Sequence, residues 1–168
     1  MKKPRAFTLI EILVVVVLLG VLAGIVLPLI AGGAISARES ALASDLQMLR
    51  RYVLIYKGQH REVAPGYPNG DTTQAPTAQA FFDQMTMSSN PGGQTAPVGT
   101  PGFERGPYLM KMPVNPLNGL DTIQMLADGD NFPANADDSH GWIYKAATAE
   151  IRADNIGAND AGKLYYAY

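Results

Sequence analysis

The distribution of apolar and polar residues divides the chain into two unlike parts. The 24 residues from Ile12 to Ile35 include no charged side chain, whereas the sequence after Ser36 is polar and rich in glycine and proline. A helix of that length would measure about 36 Å, at about 1.5 Å per residue, and the hydrocarbon core of a bilayer is about 30 Å thick. The pattern therefore predicts one membrane-spanning helix followed by a soluble domain.

Two other interpretations of the apolar run fit less well. A buried core helix is disfavoured because a chain of 168 residues could hardly surround so long an apolar rod. A cleaved secretory signal has an apolar region of only about 7–15 residues. This run is longer, and it continues into an amphipathic segment.

The amphipathic segment carries an apolar stripe with helical spacing. Leu42, Leu46, Leu49, Val53 and Tyr56 are separated by four, three, four and three residues, which places them on one face of a helix. The pattern predicts that the membrane helix continues to about Lys57 and stops at Gly58. The stripe must be covered, either by a small downstream sheet or by another chain in a coiled coil.

The remaining sequence alternates between turn-rich loops and short regular elements. The segment 77–87 predicts a short helix with Thr77 as its N-cap, and residues 64–80 and 88–107 read as loops, the second of them exposed. Apolar side chains expected to pack inward from the short helix are Phe81, Phe82 and Met85.

Four segments near the C-terminus predict strands: 122–126, 141–145, 150–153 and 163–167. The two middle strands are separated by four small residues, which indicates a hairpin. Ile143 and Ile151 are expected on the face that covers the helix. The predicted fold class is therefore α+β, a long N-terminal helix packed on a small antiparallel sheet.

The distribution of charge predicts the orientation of the membrane helix. Residues 1–6 contain three basic side chains and no acid, and residues 7–168 carry the other 10 basic groups against all 15 acids, a formal charge of −5. The basic stub predicts a cytoplasmic N-terminus by the positive-inside rule. The mildly acidic body argues against nucleic-acid binding, and the absence of cysteine excludes disulfides and thiolate metal sites.

A single acid, Glu11, stands at the start of the apolar run. A charged side chain deep in a bilayer costs about 2.5–3.5 kcal/mol on insertion scales, although near the end of the span it could snorkel to the interface. The functional alternative is pairing with an opposite charge in an assembly. No basic residue lies between Phe7 and Ser36, so the one available cation would be a new N-terminal amine made by removal of the stub.

The stretch KKPRAFTLIEILVVVVLLGVLAGIVLP resembles the N-terminus of the type IV pilin-like family, which includes pilins and type II secretion pseudopilins. The resemblance implies that a prepilin peptidase cuts between Ala6 and Phe7 and that Phe7 becomes N-methylphenylalanine. Glu11 would then pair with the amine of a neighbouring subunit in a filament. Gly20 and Pro28 match helix-breaking positions of the family, whereas Ala6 stands where glycine is usual.

A second, shorter similarity favours secretion over a true pilus. Residues 106–116 resemble a passage of the major, G-class pseudopilin of type II secretion. Together the two resemblances imply a cleaved leader at 1–6, a transmembrane assembly helix at 7–35 and a periplasmic globular domain at 36–168, anchored by a single pass in the inner membrane. Implied partners are other copies in a helical filament, the prepilin peptidase, other pseudopilins and the inner-membrane assembly platform.

Two alternatives to a secretion pseudopilin stay open at the level of sequence. One is a type IV pilus or competence pilin, and the other is a membrane-anchored extracytoplasmic binding module. An enzyme is not expected, because the sequence contains no nucleophile elbow, P-loop or dinucleotide fingerprint.

The acidic stretch 128–138 is the one candidate metal site. Asp128, Asp130, Asp137 and Asp138 could converge on a hard cation, although the spacing is not that of an EF-hand. The resemblance to G-class pseudopilins, which bind calcium late in the chain, makes calcium a candidate ion, and a solvated acidic loop is the favoured interpretation. His60 and His140 have no metal-ligand partners at a suitable spacing and are expected on the surface.

Overall fold

The computed structural model describes residues 7–168, except for the side chains of residues 27–32. The chain forms two compact units that divide between Arg38 and Glu39. One helix, α1 (Leu9–Gln59), contributes to both units.

The first unit is the N-terminal part of α1. Its residues Leu9–Val26 form one helix long and apolar enough to cross a membrane, with a mean hydropathy of 3.1 and no residue buried within the chain. The helix extends through Gly20 and Pro28, the two positions that match helix-breaking positions of the family, and the side chain of Pro28 is among those not described. The apolar surface of this segment is left entirely for lipid or other helices.

In the second unit the predicted stripe of α1 is confirmed. Its five side chains are at most 1% exposed, and they belong to one core with Trp142, Tyr144 and Ile151 of the sheet. The chain thus covers its own stripe. The helix ends at Gln59 rather than Lys57, and Gly58 lies within it. Left-handed backbone at Arg61 (φ 56°) and Glu62 (φ 64°) redirects the chain after the helix.

The second helix, α2 (Ala78–Thr86), begins where the sequence predicts. The hydroxyl of Thr77 accepts a hydrogen bond from the backbone N–H of Ala80 at 3.1 Å, as an N-cap should. Phe81 and Met85 are fully buried, and Phe82 is half-buried against the same core.

Three strands form the main sheet: β3 (Ile123–Leu126), β4 (Trp142–Lys145) and β5 (Glu150–Ala153), in the order β3-β4-β5. The β4–β5 hairpin is antiparallel as predicted, and it turns through a 3-10 segment, Ala146–Thr148, with Ala149 in the left-handed region. β3 and β4 pair in parallel, so the sheet is mixed rather than antiparallel. The long connection 127–141 carries the chain back to the same end of the sheet, which a hairpin could not do.

The register assigns the strand residues to two faces. Tyr144 lies opposite Ile151, and Trp142 lies opposite Ala153, on the face that packs against α1. Ile143 lies opposite Arg152 on the other face, so the prediction that it shares a face with Ile151 is wrong. Successive side chains of a strand alternate between faces, and Ile143 is buried on the far side of the sheet.

Two further segments differ from their predictions. The region 88–107 includes a short antiparallel pair, β1 (Ser88–Ser89) and β2 (Thr95–Ala96), and both serines of β1 are buried rather than exposed. The predicted C-terminal strand 163–167 instead holds a 3-10 helix, Tyr165–Ala167, preceded by an isolated bridge between Leu164 and Ala158. This segment packs its aromatic side chains on the helix and sheet edge instead of extending a ladder.

Candidate assembly site

Thr8 and Glu11 form a reciprocal cap at the start of α1. The carboxylate Oε2 of Glu11 accepts hydrogen bonds from the Thr8 backbone N–H at 2.7 Å and from the Thr8 hydroxyl at 2.9 Å. The Thr8 hydroxyl in turn accepts from the Glu11 N–H at 3.3 Å. This is a capping box, in which an N-cap threonine and a glutamate three residues later satisfy each other's free N–H groups. Glu11 therefore has partners within its own chain.

The cap uses only one of the two carboxylate oxygens of Glu11. Both bonds from Thr8 end on Oε2, and within residues 7–168 no hydrogen bond or salt bridge reaches Oε1. Neutral donors hold the carboxylate in place but do not cancel its charge. A cation from outside the described residues could approach Oε1 without breaking the cap.

The apolar surface around and after Glu11 is exposed as far as Val26. Phe7 is 80% exposed and Leu9 is 86% exposed, and the large apolar side chains from Ile10 to Val26 are all at least 46% exposed. A Cβ built on Gly20 or Gly24 would meet no other atom within 4 Å. The four-residue spacing of these glycines leaves a shallow strip that a second helix could approach closely in lipid.

The four aspartates predicted to hold a metal lie in two different places. Asp128 accepts from the hydroxyl of Tyr67 at 2.8 Å, and Asp130 accepts from the N–H of Ala127 at 3.3 Å. Asp137 accepts from the N–H of Ser139, whereas Asp138 accepts from the side chain of Asn155 and the N–H of Ile156. Within residues 7–168 no three His, Asp or Glu side chains are arranged to hold a metal ion. The donor set does not fit the candidate calcium site at these four residues.

His60 is buried, which corrects the prediction of a surface residue. It is 2% exposed, and its ring stacks on Tyr56 with centroids 3.7 Å apart. Nδ1 lies 2.7 Å from the carbonyl oxygen of Tyr56, so it carries the proton, and Nε2 lies 2.9 Å from the hydroxyl of Ser89. Burial lowers the pKa of His60 below its ordinary value. His140, by contrast, is partly exposed as expected.

We expect His60 to make the fold sensitive to mild acid. Because the pKa of His60 is lower in the folded chain, the unfolded chain binds a proton at pH values where the folded chain does not. Its contribution to stability is therefore complete above the unfolded pKa of about 6.5 and declines as the pH falls towards the folded pKa. Thermal unfolding of the wild type between about pH 7.5 and 5.5 should show this decline.

His60→Gln should flatten that pH dependence, and His140→Gln serves as the matched control. If both variants keep the slope of the wild type, a different group is responsible.

Several polar residues that the sequence did not single out hold the second unit together. Arg50 of α1 donates to the carbonyl oxygens of Ile151 at 3.3 Å and Tyr168 at 2.8 Å, and Tyr165 donates to Glu39 at 2.7 Å. Asp154 is completely buried. Only the tertiary structure reveals these contacts, since their partners lie far apart in sequence. The Thr8–Glu11 cap, by contrast, is visible in the sequence as T-L-I-E.

The chain is similar in sequence to several known proteins. Residues 1–27 match the family described as the prokaryotic N-terminal methylation motif. The type II secretion system core protein G of Klebsiella pneumoniae is 29% identical over 156 residues, which cover 84% of this chain and 96% of that protein. The protein of the same name from Vibrio cholerae is 28% identical, covering 84% of this chain and 86% of its own length. No solved structure matches the chain.

An N-terminal methylation motif that leads into an exposed apolar helix, followed by a helix-on-sheet α+β domain, is typical of type IV pilin-like proteins, and the chain is similar to that family. Over most of its length the chain is similar to proteins named type II secretion system core protein G.

Proposed function

We propose that the chain is a structural filament subunit, a pseudopilin, of a type II secretion system. The observation that carries the proposal is the N-terminal geometry. Glu11 is held by Thr8 through Oε2, its Oε1 has no partner in the described part of the chain, and the exposed apolar helix begins at the same point. Such a helix end has a charge to neutralise and an apolar surface to cover.

Assembly of identical subunits would meet both needs. Cleavage between Ala6 and Phe7 creates an amine, and the amine of one subunit can approach Oε1 of Glu11 in the next. Two opposite charges attract strongly in a low-dielectric surrounding, and each is costly there without a partner. The pairing would set the axial register, and side-by-side packing of helices along Gly20 and Gly24 would cover the apolar surface.

The same proposal assigns the topology and the partners. The basic stub keeps the N-terminus cytoplasmic, the apolar helix passes once through the inner membrane, and residues 36–168 lie in the periplasm. Processing requires a prepilin peptidase, and extraction from the bilayer requires an inner-membrane assembly platform. Other pseudopilins would share the filament. The role is structural and involves no catalysis by this chain.

Mass spectrometry of the chain purified from cells that contain the peptidase tests the processing step. We expect the loss of residues 1–6 and a mass increase of one methyl group on Phe7. Ala6→Gly restores the residue that is usual in the family and should be processed at least as fast, whereas a bulky Ala6→Leu should block cleavage. A mature chain that starts at Met1 or Lys2 would favour a membrane-anchored binding module over an assembly subunit.

Electron microscopy separates the two filament classes. Short fibres that appear when the secretion machinery is present support the pseudopilus. Long surface fibres that carry this subunit in wild-type cells would favour a type IV pilus or competence pilin.

A further inference from the structure

We propose that a buried carboxylate, Asp154, fixes the loop 137–140 together with neighbouring asparagines, so that this chain folds and keeps that loop ordered without calcium. Asp154 follows β5 and is fully buried. Its Oδ1 accepts from the N–H of Asp137 at 3.0 Å, and its Oδ2 accepts from the N–H of His140 at 2.9 Å. The loop therefore turns N–H groups inward onto an anion.

This polarity is opposite to what a calcium site needs. Calcium takes six to eight oxygen ligands, many of them carboxylates and backbone carbonyls. In this loop three donors, the N–H groups of Asp137 and His140 and the hydroxyl of Ser139, point at the Asp154 carboxylate and compete with any cation for its oxygens. Charge-assisted bonds from backbone N–H groups to a carboxylate are short and strong, and they satisfy a buried anion without a cation.

The backbone carbonyl oxygens near this loop already accept hydrogen bonds. The carbonyl of His140 accepts from the side-chain amide of Asn118 at 2.8 Å, and the carbonyl of Gly141 accepts from that of Asn115 at 2.7 Å. The second proton of the Asn118 amide goes to the carbonyl of Asp154 at 3.0 Å. Two asparagines thus supply neutral donors to the carbonyl oxygens that a cation would need as ligands.

Asp138 is joined to the same network through one oxygen of its carboxylate. Asn115 also donates to Oδ1 of Asn155 at 2.7 Å, and Asn155 donates to Oδ1 of Asp138 at 3.2 Å. Asn115, Asp154 and Asn155 are all at most 2% exposed. A connected set of buried amides and one buried carboxylate, with its polar groups satisfied, rigidifies a loop as a bound ion would.

The first test is thermal unfolding of the full mature chain in detergent, with millimolar calcium chloride or with a chelator. We expect the same Tm in both. Any ligand that binds only the folded state raises the Tm, and calcium well above its dissociation constant would raise it by about 5 °C or more. A rise of that size would overturn the proposal, and so would slower hydrogen exchange in residues 134–141 on adding calcium.

The second test uses Asp154→Asn, which keeps the shape but turns an amide NH₂ towards donors. We expect faster hydrogen exchange at the N–H groups of Asp137 and His140 and a Tm that is several degrees lower, with α2 unaffected. Asp128→Asn and Asp130→Asn are the matched controls and should leave exchange in the loop unchanged. Unchanged exchange in Asp154→Asn would contradict the proposal, and if that variant does not fold, the calcium comparison on the wild type decides alone.

Discussion

Glu11→Ala is expected to insert into the membrane and to be cleaved after Ala6, but to form no filaments. The substitution removes both the acceptor that closes the Thr8 cap and the negative charge that would face the neighbour's amine. Insertion should continue because the apolar span is unchanged. The measurement is the amount of sheared fibre seen by electron microscopy and immunoblot, alongside mass spectrometry of the membrane-bound chain.

Glu11→Gln separates the two roles of the side chain. Glutamine at the third helical position can still accept from the Thr8 N–H and close the cap, but it carries no charge. If charge pairing drives assembly, Glu11→Gln should fail as completely as Glu11→Ala. Abundant filaments from Glu11→Gln would show that the cap, and not the charge, is what assembly requires.

Thr8 supplies the matched controls for the cap. Thr8→Ser keeps the hydroxyl that bonds Glu11 and should assemble normally. Thr8→Val keeps the shape but removes that hydroxyl, which leaves the carboxylate with only the backbone N–H to position it. Filament yield should then fall part of the way, because Glu11 is still charged but less well oriented.

Trp142→Ala is expected to destabilise the globular domain by about 3–5 kcal/mol, the usual cost of removing a buried tryptophan side chain. Trp142 is completely buried in the core against α1, and its indole N–H donates to the carbonyl of Pro113 at 3.0 Å. Truncation leaves a large cavity and an unpaired carbonyl. Thermal unfolding of the full chain in detergent should show a Tm lowered by about 10 °C or more.

Two controls make the core prediction specific. Trp142→Phe keeps an aromatic ring but loses the hydrogen bond to Pro113. Its decrease in Tm should therefore be clearly smaller than that of Trp142→Ala. Met110→Ala removes a large apolar side chain that is 95% exposed and should leave the Tm unchanged. If Trp142→Ala melts within a degree or two of the wild type, tight packing of the sheet on α1 is not what stabilises the domain.

The N-terminal site illustrates how far sequence reasoning reached. The isolated acid in an apolar run identified Glu11 as the residue to explain, and the family resemblance supplied an intermolecular partner for it. The sequence reasoning overlooked the intramolecular partner, Thr8, although a threonine three residues before a glutamate is itself a recognised signal. The cap is local, so its geometry follows from four consecutive residues.

Contacts between residues far apart in sequence could not be predicted in this way. His60 reads as a polar residue near a helix end, yet it is buried because Ser89, 29 positions later, meets its second nitrogen. The parallel pairing of β3 with β4 depends on the path of the connection 127–141, which no strand pattern records. Asp154 reads as one acid among several until the loop 137–140 folds over it.

The sequence by itself determined the features that repeat along the chain or lie within a few residues: the apolar span, the stripe on α1, the N-cap of α2 and the β4–β5 hairpin. Periodicity and capping are local consequences of backbone geometry, so they can be predicted without knowing the rest of the fold. The tertiary structure alone decided which polar groups are buried and what satisfies them. A buried polar side chain is stable only beside its partner, and the partner is chosen by folding rather than by position in the sequence.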